Sequence, residues 1–351
     1  MKRLSALVLV GLLSSSCAGD RASNRTTDAE TPAHDIASAA PSASAPGDAS
    51  AVASADSGAS PQATAPKVAF IDWVKAKLPK GGVATEDSNG KVTVTHTVRA
   101  KESLQSIAKE YLDLTDIYLW DDLMMELSKQ GAVFVGKKIK IPHVVTEAYK
   151  TPDEERWAWP ADKALRAIYL GGIYAVHPLQ ATLERMQARN MNAIVLDGKD
   201  YTGPITYPTK VQIAIDNGAA AHPPIFDLSR TIRFAHKYGV YVIMRISCFH
   251  DPWSSVKSPK LSIQSKFGKP YPIDWLDPAN PDAQQYILDL EEEEIALGAD
   301  EIQLDYVRFP VQRGLGNAVL PPADGSREKV LAAFVHKAHE ISKAHNVPLS
   351  L

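Results

Sequence analysis

The sequence predicts an α/β fold with a parallel sheet over its C-terminal half. Three observations carry that expectation. Short apolar runs at 167–170, 193–197, 240–248 and 301–305 read as strands, with a fifth beginning at 347. Each of the first four is followed by a stretch with apolar residues at helical spacing: Leu179, Leu183 and Met186; Leu228, Ile232 and Ala235; Tyr286, Ile287 and Leu290; Val330, Phe334 and Ile341. Caps punctuate the alternation, with Asp227 and Gly239 around one helix and Asn280-Pro281 and Gly298 around the next. Strict strand–helix alternation builds a parallel sheet. An eight-fold barrel and an open doubly wound sheet both satisfy it. No Gly-x-Gly-x-x-Gly follows the first strand, so a dinucleotide site has little support and no cofactor is expected.

The chain before this sheet is expected to be modular. It has 351 residues, 45% apolar and 23% charged, a globular composition long enough for two or three domains. A formal charge of −3 gives no basic excess for phosphates, so a nucleic-acid partner is not expected. Residues 1–16 have the layout of an export signal: Lys2 and Arg3, an apolar run at 4–13, then Ser14 to Ser16 ahead of Cys17. This resembles the bacterial lipoprotein signal, although Ser14 stands where that signal usually has leucine. The resemblance implies lipidation of Cys17, a membrane anchor and a cell-envelope location on the periplasmic face or outer membrane. The alternative is an ordinary secretory signal cleaved nearby. Residues 17–66 are dominated by Ala, Ser and Pro and carry Ile36 and Val52 as their only large aliphatics. Such a segment is expected to be a disordered tether with a reach of roughly 40 Å.

Residues 67–91 read as a short helix and linker, with Phe70, Trp73, Val74 and Leu78 at helical spacing. Residues 92–145 read as strand, helix, helix, strand. Val92, Val94 and His96 alternate with threonines; Ser103 caps a helix with Leu104, Ile107 and Tyr111; Trp120, Leu123 and Leu127 mark a second helix; Lys138 to Pro142 close the unit. The segments His96-Thr97-Val98, Ser103 to Ala108 and Val135 to Pro142 resemble the lysin motif, a βααβ module. That resemblance implies binding of N-acetylglucosamine polymers such as peptidoglycan or chitin. The sequence departs from the family at Lys101-Glu102-Ser103, where Gly-Asp-Thr is usual, and through an insertion at 113–119. A spacer of the same fold is the alternative. Residues 146–160 are a linker.

In the segment 161–351 the chemistry concentrates at the ends of strands. Glu301, Gln303 and Asp305 share one face of the fourth strand, opposite Ile302 and Leu304. In a barrel the apolar face meets the helices and Asp305 aims into the mouth. Asp197 stands at the corresponding end of the second strand and Arg245 near the end of the third, where barrel enzymes place chemistry. Terminal aspartates also serve as helix caps, the plainer reading. The run Asp300 to Pro310, with its Asp-Tyr-Val-Arg-Phe-Pro ending, resembles the signature of bacterial glycosyl hydrolase barrel domains. Segments 192–200, 240–252 and 275–278 resemble the same family in the same order. The resemblance implies a (β/α)₈ TIM-like barrel distantly similar to alpha-amylase-like glycosidases, with Asp305 as nucleophile.

On this reading Asp305 and Asp197 are the catalytic pair, with Asp197 holding a sugar hydroxyl alongside Lys199 and Asp200 as the alternative. Arg245, Lys199, Asp200, Tyr306, Arg308, Trp275 and Asp277 bind substrate, and Arg245 lowers the pKa of Asp305. Trp253 is a second stacking candidate, with rim packing as its alternative. His250-Asp251 has no third ligand at metal spacing, so no metal is expected. The run Glu291 to Glu294 is expected on a solvated helix face, and Cys248 as a buried, inert thiol. A full barrel takes ~250 residues. The 191 residues from 161 to 351 supply about four and a half strand–helix units, so a fragment holding the first half of a barrel is expected. The reading is a cell-envelope glycoside hydrolase acting on a polysaccharide. The alternatives are a non-catalytic glycan-binding lipoprotein and a truncated, inactive chain.

Overall fold

A computed structural model of the chain describes residues 69–159 and 164–351. The expected export signal, the tether, Cys17 and the start of the segment at 161 lie outside the described residues. The first module opens with helix α1 (Phe70–Ala76), then strands β1 (Gly82–Glu86) and β2 (Val92–Thr97). Helices α2 (Leu104–Tyr111) and α3 (Trp120–Ser128) and strand β3 (Lys138–Lys140) follow. β2 pairs antiparallel with both β1 and β3. The Ser103 hydroxyl caps α2 by accepting from Ser106 N, and Ser106 Oγ accepts from Ser103 N in return. Val74, Val94, Ile107, Leu123, Leu127 and Ile139 fill the core between sheet and helices. Strand β1 is absent from the sequence reading, which has only a helix and linker there. Its one large apolar residue, Val83, is exposed, so no alternation marks it.

After a short helix α4 (Pro152–Glu155) comes the parallel sheet. Its strands are β4 (Ala167–Leu170), β5 (Ala193–Lys199), β6 (Tyr241–Ser247), β7 (Glu301–Asp305) and β8 (Leu349–Ser350). They lie side by side in chain order, all parallel. A doubly wound sheet reverses its order part-way; this one does not. Singly wound order is that of barrel staves, which decides between the two expected architectures for the five strands described. Between the strands run α5 (Leu179–Gln187), α6 (Gln212–Asp216), α7 (Leu228–Lys237), α8 (Pro252–Lys257), α9 (Pro281–Ala296) and α10 (Ser326–Ala344).

The two faces of the sheet differ as strand alternation requires. Ile194, Leu196, Val242, Met244, Ile246, Ile302 and Leu304 are buried in one core together with residues of α5, α7, α9 and α10. The other face carries a small apolar cluster of Ala193, Val195, Tyr241 and Ile243 at its amino end. Toward the carboxyl end that face becomes polar, with Asp197 in register with Arg245, Arg245 with Gln303 and Ser247 with Asp305.

The glutamate run on α9 departs from expectation. Glu291 and Glu294 are fully buried and only Glu292 is exposed. Glu293 leaves the helix surface to accept from Lys210 N at 2.6 Å and from the Thr209 hydroxyl, tying down the loop after β5. The reason is helical phase. Ile287, Glu291 and Glu294 fall on one stripe, which packs into the protein rather than facing water.

Candidate active site

The polar end of the sheet gathers Asp197, Arg245 and Asp305 into one ion-pair cluster. Arg245 Nη1 donates to Asp197 Oδ1 at 2.6 Å, while Nη2 and Nε donate to Asp305 Oδ2 at 2.6 and 3.0 Å. One guanidinium thus bridges the two carboxylates. Burial works against its charge, but the hydrogen bonds it donates to both aspartates outweigh that and raise the Arg245 pKa. Asp305 Oδ1 accepts from Tyr306 N at 2.6 Å, so three donors fix the plane of this carboxylate. The two acids differ in access. The Asp197 side chain is 0% exposed and that of Asp305 46%. Asp197 Oδ2 accepts from the Tyr169 hydroxyl. Burial pushes the Asp197 carboxyl up, against the opposing bonds from Tyr169 and Arg245.

An aromatic wall stands beside the cluster. Tyr306 follows Asp305 with φ 54°, a left-handed conformation that turns its ring over His250 at 4.9 Å between centroids. Tyr201 stacks on the far side of His250 at 6.4 Å, and Trp275 meets both His250 and Tyr306 edge-on. The Tyr201 carbonyl accepts from His250 Nδ1 at 2.8 Å, which places the imidazole proton on that nitrogen. The Arg308 guanidinium lies over the Trp275 ring at 4.7 Å and over Tyr306 at 5.7 Å.

The structure therefore brings Asp197, Arg245, Asp305, Tyr306, Trp275 and Arg308 together, and sets the other expected residues apart. Lys199 faces away from the cluster. It is fully buried, pairs with the equally buried Asp251 at 3.0 Å, and donates to the Ser247 carbonyl at 2.7 Å. The cause is a bulge at Gly198. Asp197 is in register with Arg245, but Lys199 is in register with Ile246, so the side-chain parity inverts between them. Asp200 is drawn into its own turn, accepting from Thr202 N at 2.7 Å and Thr202 Oγ1 at 2.5 Å. Asp277 likewise accepts from Ala279 N at 2.9 Å ahead of α9, and burial raises its pKa. Trp275 is only 4% exposed, so it supports the wall rather than offering a face to a sugar. Trp253 is spent on a bond from Nε1 to the Asn217 carbonyl at 3.0 Å. Cys248 is buried, and burial pushes its thiol up.

Three residues that the sequence reading did not name as ligands complete the site: Tyr169, Tyr201 and His250. Tyr169 was findable, because it shares strand parity with Ala167, whose neighbour in register is the inward Ala193. Tyr201 and His250 lie on loops, where no periodicity marks them. Among the described residues no group of three or more His, Cys, Asp or Glu side chains is placed to hold a metal ion.

Residues 167–351, more than half of the chain, match a family described as "putative glycosyl hydrolase domain". The chain belongs to that family. The matched region contains the whole parallel sheet and every residue of the cluster. No curated protein matches the chain. Among solved structures, a hypothetical protein from Ruminiclostridium thermocellum ATCC 27405 is 28% identical over 53% of this chain and 96% of its own, with a TM-score of 0.47. The alpha-L-fucosidase isoenzyme 2 from Paenibacillus thiaminolyticus is 17% identical over 52% of this chain and 30% of its own, TM-score 0.35. The glycoside hydrolase domain of PelA from Pseudomonas aeruginosa is 15% identical over 53% and 58%, TM-score 0.32. The chain thus spans less than two thirds of these last two.

Proposed function

We propose that this chain is a cell-envelope glycoside hydrolase in which Asp305 is the carboxylate that meets substrate. The observation that carries the reading is the unequal pair of acids on Arg245. Asp305 is the accessible one, at the carboxyl end of a parallel strand, with its plane set by Arg245 and Tyr306. Asp197 is enclosed and reaches substrate only through Tyr169 and Arg245, so it is a positioning residue. In this scheme Asp305 attacks or electrostatically supports the anomeric carbon as the glycosidic bond breaks, and a second carboxyl protonates the departing oxygen. Asp305→Asn keeps the size and removes the charge, and its single amide oxygen accepts from either Tyr306 N or Arg245 but not both. Release of reducing ends from a panel of polysaccharides is expected to fall at least about 10³-fold, with the protein still folded and Tm lowered only modestly. Undiminished release by that variant rejects the assignment.

The N-terminal module is proposed to bind N-acetylglucosamine polymers, as the lysin-motif resemblance implies. Lys101 adopts φ 69° where the family usually has glycine, so the loop keeps a glycine-like backbone. Retention of residues 69–159 on insoluble peptidoglycan or chitin tests this. Export and lipidation at Cys17 are proposed from the signal-like N-terminus. Cys17→Ser is then expected to abolish palmitate incorporation and release the protein from membranes.

A further inference from the structure

We infer that Arg308 is the specificity-determining cation of this site and selects glycans that carry a carboxylate beside the bond at Asp305. The inference deepens the hydrolase reading and rests on it for the location of the cleaved bond. Two arginines stand at the carboxyl end of the sheet and are used differently. Arg245 is consumed: all its short contacts go to Asp197 and Asp305. Arg308 is exposed and makes no salt bridge or side-chain hydrogen bond among the described residues.

Arg308 is nevertheless held. Its guanidinium is laid against Trp275 and Tyr306, and the backbone beside it is closed by a bond from Arg308 N to the Tyr306 carbonyl at 2.9 Å. The two rings border the guanidinium while the residue stays exposed, so its N–H donors, a fork that matches a planar carboxylate, are not all taken up by the protein. The rotamer entropy of a long side chain is thus largely lost before substrate arrives, which favours a ligand-binding use over an idle surface charge.

The location is specific as well. Asp305, Tyr306 and Arg308 line one wall of an open cavity of about 970 Å³ whose other wall is α10, with His336 and His339, and Leu351, so a group on Arg308 shares its space with the accessible carboxylate. A neutral sugar leaves the cation without a partner. A uronic acid, or a sugar bearing a carboxylated ether, supplies one.

The test uses the full chain, as wild type, Arg308→Gln and Arg308→Lys. Binding of tetragalacturonate is compared with binding of its uncharged methyl ester by calorimetry at fixed salt. A second pair compares a tetrasaccharide alternating N-acetylglucosamine and N-acetylmuramic acid with chitotetraose. The wild type is expected to prefer the carboxylated member of at least one pair by about tenfold or more. Which pair responds identifies a uronate or a lactyl carboxylate as the source. Arg308→Gln is expected to bring that ratio near one, and Arg308→Lys to retain part of it. Equal affinities within both pairs for the wild type, or a preference that survives Arg308→Gln, overturns the inference. Reducing-end release by wild type and Asp305→Asn is followed in parallel. Hydrolysis without carboxylate preference leaves the hydrolase standing and removes the role of Arg308. Preference without hydrolysis keeps the role of Arg308 and removes the hydrolase.

Discussion

Tyr306 holds a left-handed backbone that costs an ordinary residue about 1–2 kcal/mol. That cost falls between Asp305 and Arg308, at the point where the chain leaves the strand. The turn sends the backbone N–H back onto Asp305 and the ring out over His250. Local strain of this kind persists where the surroundings over-determine it. Here the Asp305 bond and the stack on His250 supply the determination. A second residue with no freedom is Gly198. A methyl group added there would run into the buried Glu294 carboxyl that α9 presses against the bulge. Burial pushes that carboxyl well above its ordinary pKa, directly behind the strand that carries Asp197. Gly198→Ala is therefore expected to lose about 1–3 kcal/mol, as overpacked cores do. In a Glu294→Ala background the same change is expected to cost less, because the obstructing group is gone. Urea unfolding of the four proteins measures the coupling. Equal penalties in both backgrounds would show that Glu294 is not what the glycine accommodates.

Helix α9 shows where the sequence was readable and where it was not. Its cap, its start at Pro281 and its apolar stripe were all legible from Asn280, Tyr286, Ile287 and Leu290. Its glutamates misled, because four acids in a row suggest water unless the helical phase is traced through them. Burial pushes the Glu291 carboxyl up to about 7, opposed by the Ser342 hydroxyl that donates to Oε1 at 2.7 Å. The folded pKa lies above the unfolded one, so this group's contribution is complete below about pH 4.5. It is lost as pH rises through about 7. Wild type is expected to lose stability between pH 5 and pH 8 relative to Glu291→Gln, by up to about 3 kcal/mol. Parallel pH profiles for the two proteins in urea unfolding would exclude that ionisation. Strand β5 teaches the complementary lesson. Asp197 was legible by strand parity. Lys199 was not, because parity predicts the face only while the register holds, and the bulge at Gly198 breaks it. Asp305 and Arg245 sit on unbroken strands, and both were found. The aromatic wall was half legible: Tyr306 and Trp275 belong to recognisable motifs, whereas Tyr201 and His250 come from loops whose paths only the folded chain reveals.

Within the molecule, the segment that departs from the lysin-motif pattern joins the two modules. Residues 113–119 read as an insertion between helices, and the fold gives them a use. Tyr118 and Leu119 leave the N-terminal core and enter the core of the parallel sheet. The Tyr118 ring stacks on Phe234 at 4.5 Å, and its hydroxyl donates to the Ala175 carbonyl. Arg230 of α7, 5% exposed, closes the joint by donating to the carbonyls of Tyr118 at 3.0 Å, Thr115 at 3.1 Å and Ile117. Trp157 adds a second contact, stacking on His236 at 4.6 Å, while Asp300 accepts from both Trp157 N and His236. Charge-assisted hydrogen bonds contribute about 1.5–3 kcal/mol each, and buried carbonyls left without a donor cost more than bonds never made. Arg230→Ala strands the carbonyls of Ile117 and Tyr118, leaves that of Thr115 to the Tyr149 hydroxyl alone, and empties the space of a long side chain. It is expected to lower stability by about 3 kcal/mol or more. It should also split one cooperative calorimetric transition into two, one per module. Arg233→Ala is the control, since Arg233 contributes a cation–π contact with Tyr149 and a 3.9 Å approach to Glu155 rather than bonds to the joint. It is expected to lower Tm slightly and keep a single transition. If Arg230→Ala also melts once, at the wild-type temperature, the joint does not depend on this arginine. A joint that does depend on it holds the N-terminal module in one orientation to Asp305.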